Sequence, residues 1–275
     1  MGAIIWLASY PKSGNTWLRA FLFNLLRNPP QPAPINDLDK FCIGESAGAW
    51  YARRAGHPID GMTMQQVMRL RPLVHQDFTR AFPDSVFVKT HNYLGECCEI
   101  ALHNMDVTAG AIYVVRNPLD VVISMTHHFG VSVDEAIGRL GDGNASTETT
   151  GDHAAELHSD WSTHVRSWTA AHNPGLHVMR YEDMLERPNH SFRQLTDFLG
   201  LNPPNDRLRR AVRFSSFESL QAQERKTPFK ERSEFANAFF RTGKQQQWRS
   251  LLSATQIDKV VNDHWEQMKR FGYLP

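Results

Sequence analysis

The sequence predicts an α/β fold, a single domain over residues 1–275 with a central parallel sheet flanked by helices. Two observations predict this fold. Four short apolar runs are continuous rather than alternating, which indicates strands buried on both faces, and helical periodicities separate these runs along the chain. Strands that alternate with helices form parallel sheets. With 275 residues, 41% of them apolar, the chain can bury the core that such a sheet needs.

The predicted strands indicate where a ligand would bind. They lie at residues 4–8, 86–88, 111–115 and 176–179. Each strand passes directly into polar or basic residues, at 9–16, 89–91, 116–118 and 180–183. In an open parallel sheet all strands point the same way, so these exits meet at the edge where such folds bind ligands. We therefore predict one ligand site assembled from distant parts of the chain.

Helices are predicted where apolar residues recur at i, i+3, i+4 and i+7. The clearest stripes are Leu18, Phe21, Leu22 and Leu25 and, after Asn117-Pro118, Val121, Val122, Met125 and Phe129. Further helices are predicted over 160–172, 190–199, 204–213 and 254–270. The proline-rich residues 28–44 are expected to be an extended connection. Residues 139–156, rich in Gly, Ser and Thr, are expected to form a mobile surface loop.

Charge is balanced overall but unevenly distributed. The chain holds 30 Lys or Arg and 29 Asp or Glu, a net charge of +1, which argues against a general nucleic-acid or membrane-surface binder. Residues 206–250, however, hold 11 basic and 5 acidic residues, and residues 131–160 hold 1 basic and 7 acidic residues. The basic segment is either a solvated loop or a cover for an anionic ligand. We predict that residues 214–245 form a lid over the donor or acceptor.

Cysteine content and hydropathy indicate the compartment. The three cysteines are Cys42 and the adjacent pair Cys97 and Cys98, which form neither an even disulfide framework nor a metal-spaced CxxC pair. No apolar run approaches the roughly 20 residues that span a bilayer, and the N-terminus lacks the pattern of a signal peptide. We expect a cytoplasmic protein without membrane insertion, and no pattern of residues predicts a metal site.

The segment from Tyr10 to Trp17, YPKSGNTW, joins the first strand to the first helix. Gly14 lets the backbone approach a ligand, Asn15 or Thr16 begins a helix with unpaired N–H groups, and Lys12 and Ser13 add a cation and a hydroxyl. This combination suits a phosphate or sulfate group. It differs from the standard P-loop, in which the lysine follows the second glycine. The alternative is an ordinary strand-to-helix turn.

These residues resemble the YPKSGTTW signature of the sulfotransferases that use 3′-phosphoadenosine 5′-phosphosulfate (PAPS). Four further blocks match that family in order: VKTH at 88–91, VRNPLDVVIS at 115–124, WSTHVRSW at 161–168 and RYEDM at 180–184. The sequence looks especially similar to the short bacterial enzymes that sulfate glycopeptides and other natural products. The resemblance implies the three-layer, P-loop-like architecture shared by sulfotransferases and nucleotide kinases.

The resemblance also implies PAPS as the donor, adenosine 3′,5′-bisphosphate as the product, and no required metal. The residues that it assigns to donor binding are Lys12, Ser13, Gly14, Asn15, Thr16, Trp17, Arg116, Ser124, Tyr181, Ser215, Phe217, Arg241, Thr242 and Gly243. Thr242 stands where the family has a lysine, and Lys244 is the candidate to replace that charge. Two alternatives stay open: Arg116 in a structural ion pair with Asp120 or Glu182, and Trp17 in core packing.

His91, Lys12 and Lys89 are the predicted catalytic residues. An imidazole with a pKa near ~6.5 accepts a proton at neutral pH, and neighbouring lysines would keep it neutral by like-charge repulsion. In the family that the chain resembles, the matching histidine is the general base and the matching lysines stabilise the transferring group. We therefore predict in-line transfer of a sulfuryl group to a hydroxyl or amine.

Several features stay open. The acceptor is expected to be a small molecule or natural product rather than nucleic acid, and the chain could be a monomer or a homodimer. Aromatic residues that could line an acceptor pocket are Phe41, Trp50, Tyr51, Tyr93, Phe239 and Phe240; Glu96, Glu99, His127 and His128 could also reach the acceptor. The alternative functions are a small-molecule P-loop kinase, for which Asp183 is the only acidic metal-ligand candidate after a strand, and a non-catalytic nucleotide-binding protein.

Overall fold

The structure, a computed structural model, describes residues 2–275 and contains a five-stranded sheet of order β2-β3-β1-β6-β7. The strands are β1 Ile4–Ser9, β2 Ile43–Gly44, β3 Val86–Thr90, β4 Glu96–Cys97, β5 Ile100–Ala101, β6 Thr108–Val115 and β7 Leu176–Arg180. β3 pairs in parallel with both β1 and β2, while β4 and β5 form a separate antiparallel hairpin. The predicted α/β class and parallel central sheet are confirmed.

Helices occupy most of the remaining chain. They are α1 Asn15–Arg27, α2 Leu38–Phe41, α3 Gly48–Ala55, α4 Met64–Ala81, α5 Pro118–Phe129, α6 Val133–Leu140, α7 Trp161–Thr169, α8 Tyr181–Glu186, α9 Pro188–Phe198, α10 Asn205–Phe214, α11 Phe217–Lys226, α12 Trp248–Leu251 and α13 Ala254–Phe271. Short 3₁₀ turns lie at Ile35–Asp37 and Met105–Val107. No helix within residues 2–275 has the length and apolarity that a membrane span requires.

The chain divides into two compact units. Residues up to Pro11, Cys42–Tyr113 and Gly141–Val178 make up the first unit; Lys12–Phe41, Val114–Leu140 and Met179–Pro275 make up the second. Two of the boundaries fall inside β6 and β7. Each unit is therefore built from separate stretches of sequence.

The first unit is centred on the buried strand β1. Trp6 is fully buried, its ring packs edge-on against His75 and His103, and its indole N–H donates to the Thr108 hydroxyl at 2.9 Å. The helix α4, which supplies His75, begins at a capping box in which Thr63 and Gln66 satisfy each other's backbone N–H groups. Sequence periodicity did not predict α4, because it runs through Pro72, a residue that normally signals a helix boundary.

The second unit packs α1 against α9 and α10. Phe21 of α1 stacks on Phe192 of α9 with ring centroids 3.9 Å apart, and Arg207 of α10 donates to the Leu25 carbonyl at the end of α1. The predicted start of α5 is confirmed: Asn117 caps the helix by accepting from the Leu119 N–H, and Pro118 is its first residue.

The two connecting segments predicted from the sequence, residues 28–44 and 139–156, differ in their secondary structure. Residues 28–44 contain a 3₁₀ turn, α2 and β2 rather than an uninterrupted extended chain. Residues 139–156 include the end of α6 and then no helix or named strand, as expected of a loop. The far end of this loop is nevertheless buried at Ala154, Ala155 and Glu156, because Ala154 N–H donates to the Ser46 carbonyl. Mobility of the preceding residues stays a prediction.

Candidate active site

His91 directly follows β3 in the first unit, and its orientation is fixed by the exit of β1. Its Nδ1 lies 2.8 Å from the Ser9 carbonyl oxygen, which accepts a hydrogen bond only if Nδ1 carries the proton. The parallel pairing of β1 with β3 aligns these two strand ends. Nε2 is consequently the unprotonated nitrogen of the neutral ring, and it can accept a proton from another group.

The surroundings of His91 keep the imidazole neutral. The pKa of His91 is lowered to about 3, mainly by burial and also by the positive charge of Lys89. The carboxylate of Glu156 raises this pKa, but by less than Lys89 lowers it. Lys89 lies in β3 two residues before His91, and its backbone carbonyl accepts from the Glu45 N–H. The sequence analysis expected a neutral His91 because of repulsion from Lys12 and Lys89, whereas burial is the larger cause and Lys89 adds to it.

A carboxylate–histidine pair lies beside His91. His158 has its ring centroid 6.4 Å from that of His91, and its Nε2 lies 3.4 Å from the carboxylate of Glu156. Glu156 is buried, accepts a hydrogen bond from Ser46 at 2.7 Å, and has a pKa held well below its usual range. Burial opposes this shift, and hydrogen bonding and charge from His158 and neighbouring histidines outweigh it. The first unit therefore gathers two imidazoles and one ionised carboxylate.

A buried polar network lies behind His91. The carboxylate of Glu45 accepts from the guanidinium of Arg71, from Tyr51 at 2.8 Å and from the Asn92 side-chain amide at 2.8 Å. Asn92 follows His91 directly, and its side-chain oxygen accepts from the Leu157 N–H at 2.7 Å. This network fixes the segments that carry His91 and His158. Sequence reasoning missed it because Glu45 follows a strand of only two residues, too short to recognise.

The loop that precedes α1 lies in the second unit and has the properties expected of an anion site. Gly14 is the N-cap residue of α1, has a φ of 106°, and has no side chain that could cap the helix. The N–H groups of the first turn are therefore not capped by a side chain and can bind an anion. A Cβ at Gly14 would lie 2.6 Å from the ring of Tyr181. Ser13 is buried, and its hydroxyl oxygen has no hydrogen-bond partner.

Arg116 and Tyr181 complete this part of the second unit. Arg116 donates to the Lys12 carbonyl at 2.9 Å, and its guanidinium lies 4.3 Å from the centroid of the Tyr181 ring. Both acidic residues that could have paired with it are otherwise engaged. Asp120 accepts from the N–H groups of Gln246 and Trp248, and Glu182 accepts from the Asn117 N–H and the Tyr273 hydroxyl. The ion-pair alternative for Arg116 is therefore not formed.

Of the C-terminal residues predicted to bind the donor, Arg241 lies near Arg116, whereas the Ser215 hydroxyl is hydrogen-bonded within its own helix end. Burial and the nearby charge of Arg116 both lower the pKa of Arg241, so two guanidinium groups share this region. Gly243, at φ 60°, packs directly on the ring of Phe217. The Ser215 hydroxyl, in contrast, donates to the Ala211 carbonyl at the end of α10. Thr242 is half-buried and Lys244 is exposed.

The remaining predicted residues lie on α1 and α5. Trp17 packs edge-on against Tyr181 and Phe192, the packing role left open above, yet its buried indole N–H has no partner. The Thr16 hydroxyl accepts from Arg19 at 3.1 Å. Asn15 is buried in the first turn of α1, and Ser124 is half-buried on α5.

Some of the aromatic candidates can be placed. Phe239 lies beneath the Lys12 ammonium, 4.4 Å from ring centroid to Nζ, in the second unit. Tyr51 is fully buried and bonded to Glu45, so it lines no open surface. The Tyr93 hydroxyl donates to the Glu96 carbonyl. Tyr10, which was not a candidate, packs edge-on against His158 and His164 in the first unit.

Several known proteins are similar to this chain over most of its length. A family model described as "Sulfotransferase domain" matches residues 4–272. Flavonol 3-sulfotransferase of Flaveria bidentis is 24% identical over 93% of this chain and 78% of its own length, and rat sulfotransferase 2A2 is 23% identical over 98% and 86%.

Solved structures show the same fold. A retinol dehydratase in complex with androsterone and the inactive cofactor PAP has a TM-score of 0.65 at 19% identity, covering 97% of this chain and 80% of that one. Mouse sulfotransferase SULT7A1 complexed with PAP has a TM-score of 0.62 at 18% identity, covering 99% and 87%. The three-layer, P-loop-like fold that the sequence predicted is the fold of these proteins.

Proposed function

Since the chain belongs to the sulfotransferase family, we propose that it transfers the sulfuryl group of PAPS to a hydroxyl or amine of a small molecule. The observation that carries the proposal is the cluster of Lys12, Arg116 and Tyr181 at the start of α1. It combines two cations, an aromatic face and a helix N-terminus, which together suit a nucleotide with two anionic groups. The solved relatives named above are complexed with PAP.

The second unit supplies the groups that would hold the donor. The Ser13 hydroxyl and the Arg116 Nε are buried polar atoms without hydrogen-bond partners, and such atoms are costly unless a ligand satisfies them. Gly14 lets the Tyr181 ring pack directly against the loop, since an added Cβ would lie 2.6 Å from that ring. When bound, the donor supplies the sulfuryl group and the bisphosphate leaves. We assign the 5′ end to residues 12–17 and the 3′-phosphate to Arg116, Ser124 and Arg241.

The first unit supplies the proton acceptor. His91 holds its Nδ1 proton on the Ser9 carbonyl, so Nε2 accepts the proton of the attacking hydroxyl. The lowered pKa of His91 keeps it unprotonated, and therefore competent as a base, throughout the neutral range. Lys89 and Lys12 stabilise negative charge on the transferring group and on the leaving oxygen.

For the acceptor we propose a chemical class, and for the compartment we propose the cytoplasm. The relatives' names include a flavonol and retinol, ring compounds with hydroxyl groups, so we propose a small hydroxylated ring compound or natural product as acceptor. None of the three cysteines forms a disulfide, in keeping with the reducing cytoplasm that we propose as the compartment. The kinase alternative receives no support from Asp183, which pairs with Arg180 and Arg187 instead of standing as an uncompensated acidic ligand.

A transfer assay with ³⁵S-labelled PAPS tests the function across flavonols, simple phenols, steroids, sugars and glycopeptides. We expect a labelled product with at least one acceptor and at least ~10²-fold loss of rate in His91→Ala. His172→Ala, an exposed histidine on no element of the site, is the matched control. Tight binding of adenosine 3′,5′-bisphosphate without magnesium is also expected. Preferential binding of Mg·ATP, with no label transferred to any acceptor, would refute the proposal.

A further inference from the structure

The hairpin of β4 and β5 carries two adjacent cysteines that the proposed reaction does not use. Cys97 pairs with Ile100 across the hairpin, and Cys98 and Glu99 form its two-residue turn. Both turn residues have positive φ angles, 53° and 63°. Such turns normally use Asn-Gly or Gly-Gly, because a side chain in this left-handed region costs free energy. A cysteine at this position is therefore conformationally unusual.

The turn brings the two sulfur atoms together. In an extended strand adjacent side chains point to opposite faces, but the chain leaves the extended conformation at Cys98. The Sγ atoms lie 3.6 Å apart, with Cys98 exposed and Cys97 partly exposed. An external reagent can thus reach both sulfurs at once.

The two thiols are poorly suited to a structural disulfide. Cα atoms joined by a trans peptide bond are about 3.8 Å apart, whereas unstrained disulfides need about 4.4–6.8 Å. Burial and the hydrogen bond with Cys98 raise the pKa of the Cys97 thiol. The pair is therefore a dithiol, with its two sulfurs already at chelating distance.

We propose that Cys97 and Cys98 form a two-sulfur binding site for soft, thiophilic centres, with trivalent arsenicals as the ligand class. Thiol sulfur is the ligand that soft centres prefer. Reaction with an arsine oxide forms two As–S bonds and breaks the arsenic–oxygen bond. The two S–H protons leave with that oxygen as water, and nothing is oxidised or reduced. Because the sulfurs are preorganised, the second As–S bond forms within one molecule and the adduct is retained more strongly.

The site is independent of the donor and proton-acceptor residues. The hairpin is held by its own contacts, the Tyr93 hydroxyl donating to the Glu96 carbonyl and the Leu102 N–H donating to the Gly95 carbonyl. Serine at either cysteine keeps the size and polarity of the side chain and leaves these contacts intact. Substitution therefore tests the sulfurs alone.

Intact-mass spectrometry of the reduced full chain with phenylarsine oxide tests the proposal. We expect one phenylarsenic group per chain, removed by a dithiol and resistant to excess monothiol. Cys97→Ser and Cys98→Ser should each retain the adduct about 10²-fold less well. The control is Cys42→Ser, since Cys42 is 1% exposed and its loss should change nothing.

Two results would overturn the proposal. One is an adduct on Cys97→Ser or Cys98→Ser as persistent as that on the wild type; the other is loss of the adduct in Cys42→Ser. Circular dichroism establishes that each variant is folded, and Cys98→Ala replaces any serine variant that is not. None of these outcomes depends on sulfuryl transfer.

Discussion

The guanidinium of Arg116 is held by one backbone carbonyl and one aromatic ring, and by no carboxylate in the part of the chain that the structure describes. Its charge is consequently available to an anionic ligand. Asp120 and Glu182 are near in sequence and space, but each is committed to backbone N–H groups or to Tyr273. At the scale of a residue, these commitments decide the role of Arg116.

Replacing Arg116 with methionine should weaken binding of adenosine 3′,5′-bisphosphate by about tenfold to 150-fold, since a hydrogen bond to a charged group contributes about 1.5–3 kcal/mol. Adenosine 5′-monophosphate, which lacks the 3′-phosphate, should lose little affinity. Isothermal titration calorimetry measures both. Arg209→Met, at an exposed position of the basic segment 206–250 outside the predicted lid, is the control. Equal losses for both nucleotides would assign Arg116 a structural role instead.

The lowered pKa of His91 predicts how the rate of sulfuryl transfer depends on pH. Its pKa lies at about 3 rather than the ordinary 6.5, so the unprotonated form that acts as a base persists as the pH falls from 8 to 5. The rate of transfer to an alcohol, which does not itself titrate there, should not decline across this range through protonation of His91. Because the charge of Lys89 contributes to the lowered pKa, Lys89→Met should move the acidic limb of the kcat/KM profile upward. A limb near 6.5 in the wild type would contradict this prediction.

At the scale of elements, α5 anchors the segment between α11 and α12. The Asp120 carboxylate in the first turn of α5 accepts from the Gln246 N–H at 2.6 Å and the Trp248 N–H at 3.3 Å. The anchored segment also holds Arg241 and Gly243, two of the predicted donor contacts. One carboxylate thus links a helix that follows β6 to a connection 126 residues later in the chain.

Asp120→Ala should release this segment. Loss of two hydrogen bonds to a charged group leaves two N–H groups unpaired, which destabilises the native state by about 1–3 kcal/mol. Faster proteolysis between residues 227 and 247 and weaker bisphosphate binding are expected. Asp258→Ala, an exposed position on α13, is the control. Unchanged proteolysis in Asp120→Ala would show that other contacts hold the segment.

The start of α1 depends on glycine for two reasons. Gly14 has a φ of 106°, which side chains rarely adopt, and an added Cβ would meet the Tyr181 ring at 2.6 Å. We expect Gly14→Ala to lower the free energy of unfolding by about 1–3 kcal/mol and to weaken nucleotide binding, as measured by urea denaturation and calorimetry. Gly138→Ala, in α6 with open space around its Cβ, should instead stabilise the chain by about 0.5–1 kcal/mol. Similar behaviour of the two variants would contradict the argument.

At the scale of the whole molecule, the features that could be predicted from the sequence are those that depend on residues close together in the chain. The four longest strands, the start of α5, and His91 and Arg116 at strand exits all follow from continuous apolarity, capping residues and strand direction. The buried network of Glu45, Arg71 and Asn92 does not, because its members are distant in sequence and each alone reads as a surface residue. Long-range polar pairing has no periodic signature, so it appears only when the chain is folded.

Buried histidines give the whole chain a distinctive response to acid. Burial lowers the pKa of His91 and His164 to about 3, and also lowers the pKa of His75 and His103. Above pH 6.5 these groups are neutral in both the folded and the unfolded chain. Below pH 6.5 the unfolded chain binds protons that the folded chain does not bind, so the free energy of unfolding falls as the pH decreases toward 3.

The buried histidines and the buried carboxylate of Glu45 change the free energy of unfolding in different ranges of pH. Burial raises the pKa of Glu45, but the charge of Arg71 and the interactions with His75 and Tyr51 together outweigh burial and lower this pKa to about 2, from an ordinary 4.5. The stabilising contribution of Glu45 is therefore lost only below pH 4.5. Between pH 6.5 and 4.5 the loss of stability should therefore come mainly from the buried imidazoles. Urea denaturation at half-unit steps of pH measures it, with His190→Gln, an exposed histidine, as the control that keeps the wild-type slope. His103→Gln, if it folds, should show a shallower slope than the wild type, because one fewer proton is bound on unfolding. A free energy of unfolding that stays constant from pH 7 to 4.5 would show that these histidines are not held neutral in the native chain.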